Sequence, residues 1–184
     1  MKNLKNQFIV LSMAIVALTY TSCEDGVFGI KGGGPRVTQE FTFEELNGIS
    51  MSIEGNVHLT QSDTQEITIK AQQNIIDNME MTVNNGILDL EYDRNVKNHD
   101  GVDIYMSIKT LTDAKLSGSG NISTTNAFKS DEILHLSLSG SGNFNIEADA
   151  TEVYADISGS GTFTINTNTE YFQGSISGSG DYIM

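Results

Sequence analysis

Eight carboxylates lie between Lys115 and Met184, at Asp131, Glu132, Glu147, Asp149, Glu152, Asp156, Glu170 and Asp181, against two bases, Lys115 and Lys129. Paired acids drive glycoside hydrolysis: one protonates the leaving oxygen while the other attacks or activates water. Polysaccharide lyases add a Lys or Arg that abstracts a proton or neutralises a uronate. Glu147 and Asp149 would share one outward face of an extended strand, which makes them a candidate pair. The segment holds no arginine for a uronate, and acids facing solvent ordinarily serve solubility. No catalytic residue is assigned.

The tetrad Ser-Gly-Ser-Gly occurs four times, beginning at Ser117, Ser139, Ser158 and Ser177. A serine nucleophile on a sharp turn needs Gly-x-Ser-x-Gly between a strand and a helix, with a histidine partner, and the tetrads offer neither. A dinucleotide loop fails as well, because Ser123 stands where the third glycine after Gly118 and Gly120 belongs, and no Lys-Ser/Thr follows. His58, His99 and His135 are isolated from one another and lack His-x-x-x-His spacing. The nine-residue glycine–aspartate repeat of calcium β-rolls is missing too, which leaves only weak calcium binding by an acidic surface. The sequence implies no cofactor and no specific metal site.

The tetrads instead point to the backbone that carries them. Successive copies lie 22, 19 and 19 residues apart, a repeat length typical of chains that wind through equivalent units. Before each tetrad apolar residues alternate with polar ones: Ala114 and Leu116, then Leu134, Leu136 and Leu138, then Val153, Ala155 and Ile157, then Phe172 and Ile176. After each tetrad come Ile122, Phe144, Phe163 and Tyr182 at one equivalent position, and Thr124, Ile146, Ile165 and Met184 at the next. Period-two alternation on both sides of a Gly-rich corner predicts two half-buried strands per repeat. Matching residues at matching positions favour units stacked as parallel strands over a series of hairpins. The expected fold is all-β, a single-stranded right-handed β-helix or β-solenoid with about 19–22 residues per C-terminal coil. Glycine suits its corners by allowing positive φ or close approach between coils, and stacked serine hydroxyls are expected to bond along the stack.

Lys2 and Lys5 precede an apolar run from Phe8 to Leu18, too short to span a bilayer and suited to a signal-peptide core. Tyr20-Thr21-Ser22-Cys23 then resembles a lipoprotein box, with Tyr20 in place of the usual branched aliphatic. Residues 1–22 are expected to be a lipoprotein signal peptide, Cys23 the lipid attachment site, and residues 23–35, with Gly32-Gly33-Gly34-Pro35, a flexible tether. A single cysteine excludes an internal disulfide. Cleavage before Cys23 leaves 162 of the 184 residues and moves the formal charge from −14 to −16. Nucleic acid and anionic membrane surfaces are then repelled, so the lipid must supply the anchoring.

From Arg36 to Ile108 the alternation continues through Ile49/Met51/Ile53, Val57/Leu59, Ile67/Ile69, Leu88/Leu90/Tyr92 and Ile104/Met106/Ile108. Turns fall at Glu54-Gly55-Asn56, Asn84-Asn85-Gly86 and Asp93 to Gly101, and Gln72 to Asn78 allows one helical turn. Residues 36–184 are read as one β-helical head, with irregular coils over 36–110 and tetrad coils over 111–184; a separate small N-terminal β-domain is the alternative. The run Phe43 to Val57, the segment Asn84 to Leu90, the stretch Val102-Asp103-Ile104-Tyr105 and the four Leu/Ile-Ser-Gly-Ser-Gly copies resemble the auto-transporter adhesin head, or GIN, domain. The resemblance covers about residues 36–184. It implies an exported β-helical domain, often on a lipoprotein, with an adhesin-like role and no established catalytic residues. The chain departs from the family name in having no membrane-barrel segment. The last repeat, with four residues after Gly180, is expected to be incomplete, through truncation or because a homo-oligomer caps its open edge.

The function expected is that of a cell-envelope lipoprotein, lipid-anchored in the outer membrane and facing the periplasm or the cell surface. Its head would be a non-catalytic adhesin-like binding or structural module for glycans or surface proteins. Thr124-Thr125-Asn126, Asn143/Asn145, Thr162/Thr164 and Asn166 to Thr169 would form its polar array. The alternative is a carbohydrate-active lyase or hydrolase on a β-helix, and envelope maintenance or signalling is a third reading.

Overall fold

A computed structural model describes residues 29–184. The expected signal peptide and Cys23 lie outside them. Strands β1 (Ile30–Lys31) and β2 (Arg36–Phe41) lead into β3 (Gly48–Met51), β4 (Gly55–Gln61) and β5 (Glu66–Gln72). After one helical turn, α1 (Gln73–Ile76), come β6 (Met79–Asn84), β7 (Ile87–Tyr92), β8 (Val96–Lys97) and β9 (Asp103–Ile108). The tetrad region holds β10 (Asp113–Leu116), β11 (Gly120–Thr124), β12 (Phe128–Lys129), β13 (Ile133–Leu138), β14 (Asn143–Asp149) and β15 (Glu152–Ile157). It continues with β16 (Thr162–Asn166), β17 (Tyr171–Ile176) and β18 (Asp181–Ile183).

The chain is all-β in two main sheets. One has the order β17-β15-β13-β10-β3-β7-β6, the other β18-β16-β14-β11-β4-β9-β5-β2 with β12 beside β14. Each tetrad unit gives one strand to each sheet, and its neighbours are parallel. Register follows the repeat residue by residue: Leu116 sits against Leu138, Leu138 against Ile157, and Ile157 against Ile176. On the other sheet Ile122 meets Phe144, Phe144 meets Phe163, and Phe163 meets Tyr182. Inward residues of both sheets merge into one core; Leu116, Leu138, Ile157, Phe144 and Phe163 are all buried. On the last unit the equivalent positions are more open: Ile176 is 44% exposed, and Phe172 and Tyr182 are half-buried.

The tetrads bring the strands' corners into backbone contact. A Cβ on Gly120 would sit 1.9 Å from the Gly55 carbonyl oxygen, on Gly142 2.5 Å from that of Gly120, and on Gly161 1.9 Å from that of Gly142. The first glycines of the tetrads form a second column, where a Cβ on Gly140 would lie 2.4 Å from the Gly118 oxygen and on Gly159 2.1 Å from the Gly140 oxygen. Close approach, not positive φ, is therefore the reason for glycine: of the tetrad glycines only Gly178 has a positive φ. Serine backbone N–H groups carry bonds between units here, as in Ser139 N–H to the Leu116 carbonyl (2.8 Å) and Ser160 N–H to the Gly140 carbonyl (3.0 Å).

The N-terminal half joins the same sheets but not in chain order. Strands β3 and β4 pair with β10 and β11 on one side and with β7 and β9 on the other. The chain thus places β7 and β9 beside β3 and β4, then crosses back to continue from the opposite side. The reason lies in β6, β5 and β2, which pair antiparallel beyond β7 and β9 and occupy their outer edges. Further parallel strands can add only on the free side of β3 and β4. Asn85 (φ 53°) and Gly86 (φ 79°) make the tight β6–β7 turn, the backbone that Asn-Gly favours in a two-residue hairpin. Within the segment expected as a tether, Ile30–Lys31 pair with β8, and Ile30 is buried.

Candidate functional site

The acid pair lies where alternation places it, outward on β14, but its members have separate tasks. Asp149 Oδ2 is 3.8 Å from Lys129 Nζ, and its Oδ1 accepts the Asn168 N–H at 3.2 Å. Glu147 is exposed, in register with Asn166. Asp131, Asp149 and Glu170 border an open groove of about 350 Å³ with Lys129. Among the described residues no three His, Cys, Asp or Glu side chains are arranged to hold a metal ion. The histidines go to three places. His58 stacks on Tyr105 (centroids 4.9 Å) and His135 on Tyr154 (5.2 Å), whereas the side chain of His99 is buried, with Nδ1 accepting the Gly101 N–H at 3.0 Å.

The outward face of the larger sheet carries a hydrogen-bonded polar row. The Arg36 guanidinium pairs with Asp103, whose Oδ1 accepts from Asn56 Nδ2 at 3.1 Å. Asn121 donates to Asn56 at 2.9 Å, Asn143 donates to Asn121 at 3.1 Å, and Asn143 Oδ1 accepts the Thr162 N–H at 3.1 Å. Each link from Asp103 to Thr162 spans one strand-to-strand step, so parallel register creates that part of the row, whereas Arg36 on β2 reaches Asp103 on β9 across the antiparallel β5. Partial burial raises the Asp103 pKa, but hydrogen bonds from Arg36 and Asn56 outweigh it and hold the carboxyl below the usual carboxylate range. The expected polar array is therefore partly structural: Asn143 belongs to this row, Thr124 Oγ1 accepts the Glu147 N–H at 2.8 Å, and Thr125 bonds to Thr60 at 2.7 Å.

The smaller sheet shows what the polar reading missed. Outward on β13, β15 and β17 lie His135, Tyr154 and Tyr171, with Tyr154 and Tyr171 centroids 5.9 Å apart and their planes tilted by 53°. The Tyr154 hydroxyl donates to Glu152 Oε2 at 2.7 Å and the Tyr171 hydroxyl to Gln173 Oε1 at 3.0 Å, which fixes both rings. The Glu152 carboxylate, followed by burial, raises the Tyr154 pKa. Tyr171 is 48% exposed and Ile133, at the far side of Glu152, 41%. The signal was present in the repeat, because His135 and Tyr154 both stand four residues before their tetrads.

This parallel, tetrad-cornered architecture matches a known family. Residues 45–184 fit the family described as "Putative auto-transporter adhesin, head GIN domain". The chain belongs to that family. Solved structures agree on the fold. A "putative adhesin" from Bacteroides fragilis NCTC 9343 aligns with TM-score 0.54 and 19% identity, over 84% of this chain and 99% of that one. Another from Parabacteroides distasonis ATCC 8503 aligns with TM-score 0.57 and 21% identity, over 84% of this chain and 75% of its own. A "putative lipid binding protein" from the same organism gives TM-score 0.51 and 15% identity, over 84% of this chain and 99% of that one. No curated protein matches the chain.

Proposed function

We propose that this GIN-domain chain is a non-catalytic, adhesin-like binding domain, exported and tethered to the outer membrane by a lipid on Cys23. Its body is read as a single-stranded β-solenoid, right-handed as parallel crossovers almost always are. The observation that carries the binding role is the outward face of β13, β15 and β17, where hydrogen-bonded aromatic rings and a carboxylate line the sheet, Tyr171 exposed and Tyr154 and Glu152 half-buried. Stacked units of this kind offer extended surfaces to large partners. The engagement of Asp149 by Lys129 and the Asn168 N–H speaks against a free acid pair at Glu147 and Asp149. The apolar run before Cys23 supports export.

Two experiments test the reading. Chain lacking the lipid site (Cys23→Ser), displayed on beads, is expected to retain the beads on glycan or protein surfaces with no product released. Polysaccharide breakdown that Glu147→Gln abolishes would replace the binding role with the enzyme. Labelled fatty acid is expected in the parent and not in Cys23→Ser, and equal labelling of the two would remove the anchor.

A further inference from the structure

We propose that the outward face of β13, β15 and β17 docks an arginine-bearing segment of a basic partner protein, its guanidinium lying against Tyr154 and Tyr171 and paired with Glu152. This names the partner chemistry of the binding role above and rests on it. Parallel register sets Glu152 directly beside Tyr171, and Tyr154 follows two residues later on the same face. Glu152 uses Oε2 for the Tyr154 hydroxyl, and an ionised carboxylate has a second oxygen able to accept from a ligand. His135 already covers one face of Tyr154 (centroids 5.2 Å, planes 17° apart), while the 53° tilt leaves its other face and that of Tyr171 splayed and not closed on each other. Both hydroxyls are already anchored, so little side-chain freedom remains to be lost on binding.

Charge selects the occupant. The chain carries a formal −14, and its only lysines or arginines after Lys109 are Lys115 and Lys129, with His135 the one histidine. The two lysines lie 3.9 Å from Asp113 and 3.8 Å from Asp149. Asp156, exposed on β15, adds a further negative charge to the face. A cation meets ring quadrupoles and carboxylates together, whereas an anion meets repulsion. Arginine fits better than lysine because a planar guanidinium can stack on a ring while it bonds in its own plane to a carboxylate.

The test uses the full chain carrying Cys23→Ser, titrated with octa-arginine, with octa-lysine of equal charge, and with an uncharged oligosaccharide. Octa-arginine is expected to bind several-fold tighter than octa-lysine. Tyr154→Leu and Tyr171→Leu should each weaken it about three-fold, the scale of an exposed cation–π contact. Glu152→Gln should weaken it about ten-fold, whereas Glu80→Gln on β6 should leave it unchanged. Unaltered melting temperatures will show that the variants fold. Equal binding of the two peptides, with Glu80→Gln as harmful as Glu152→Gln, would reduce the effect to diffuse charge and overturn the proposal. No binding of octa-arginine, or capture of the oligosaccharide on this face instead, would also overturn it. If the displayed chain still holds beads to surfaces in that event, the binding role stands without this partner.

Discussion

Replacing Gly161 by alanine adds one methyl group at one of the two closest approaches in the tetrad columns. Its Cβ would lie 1.9 Å from the Gly142 carbonyl oxygen and 2.3 Å from Leu138 Cδ2, where real Cβ atoms do not come within 3.0 Å. The side chain of Leu138 can turn away, but the carbonyl can retreat only if the two corners separate. Separation strains the bonds that cross the same gap, from Ser158 N–H to the Leu138 carbonyl (2.7 Å) and from Ser160 N–H to the Gly140 carbonyl (3.0 Å). Overpacking costs about 1–3 kcal/mol, and weakening two hydrogen bonds adds about 1–2 kcal/mol. Restricting the unfolded chain returns about 0.4–1 kcal/mol. The net loss is about 3 kcal/mol, which lowers Tm by roughly 6–12 °C in a chain of this size. Gly33→Ala is the control, since its Cβ would meet only Asn74 Oδ1 at 4.0 Å, and its expected change is within about 0.5 kcal/mol. Thermal melts followed by far-UV circular dichroism decide the matter. Equal melting of the two variants would refute close packing at the corners.

Asp103, held below the usual carboxylate range, contributes stability that is fully present above about pH 4 and is lost as pH falls through its lowered folded value. Asp103→Asn should cost about 1–2 kcal/mol at neutral pH and flatten the acid limb of urea midpoints plotted against pH. The pKa of Tyr92 is pushed up to about 12 by burial and by Glu54, so its contribution is complete below about pH 10 and disappears as pH rises towards the folded value. Its hydroxyl is buried without a hydrogen bond among the described residues. Tyr92→Phe should therefore be neutral or slightly stabilising at pH 7 and more stable than the parent at pH 11 in the same midpoints. Asn121→Ala removes the bonds to Asn56 and Asn143 and should cost about 1–2 kcal/mol by denaturant unfolding.

Much of the fold was legible because identical positions recur. The alternation flanking each tetrad located both strands of every repeat, and residues aligned on the tetrads meet across the ladders. The Asn85-Gly86 turn was legible from local chemistry. The crossing back after β9 was not, because it depends on antiparallel edges built by β2, β5 and β6, which pair with residues distant in sequence. The unit formed by β3 and β4 was obscured by its degenerate corner: Ser52-Ile53-Glu54-Gly55 stands where Ser117 to Gly120 stands in its neighbour, and only the first serine and the last glycine, the latter under the closest contact, are kept. The aromatic row was overlooked because outward positions were read as polar, although His135 and Tyr154 share one repeat position.

Register is the foundation of both the core and the outward rows, and engineered disulfides read it directly. In a chain carrying Cys23→Ser, Asn145→Cys/Thr164→Cys puts thiols on partners in register on β14 and β16. Parallel neighbours lie about 4.8 Å apart, within the Cα separation that a disulfide accepts. Asn145→Cys/Asn166→Cys is displaced by two residues, a diagonal of about 8 Å that is too long for a bridge. Mild oxidation followed by mass spectrometry is expected to show an intramolecular bridge in the first variant and free thiols in the second. Bridging in the second and not the first, or equally in both, would contradict the in-register parallel stack on which the account depends.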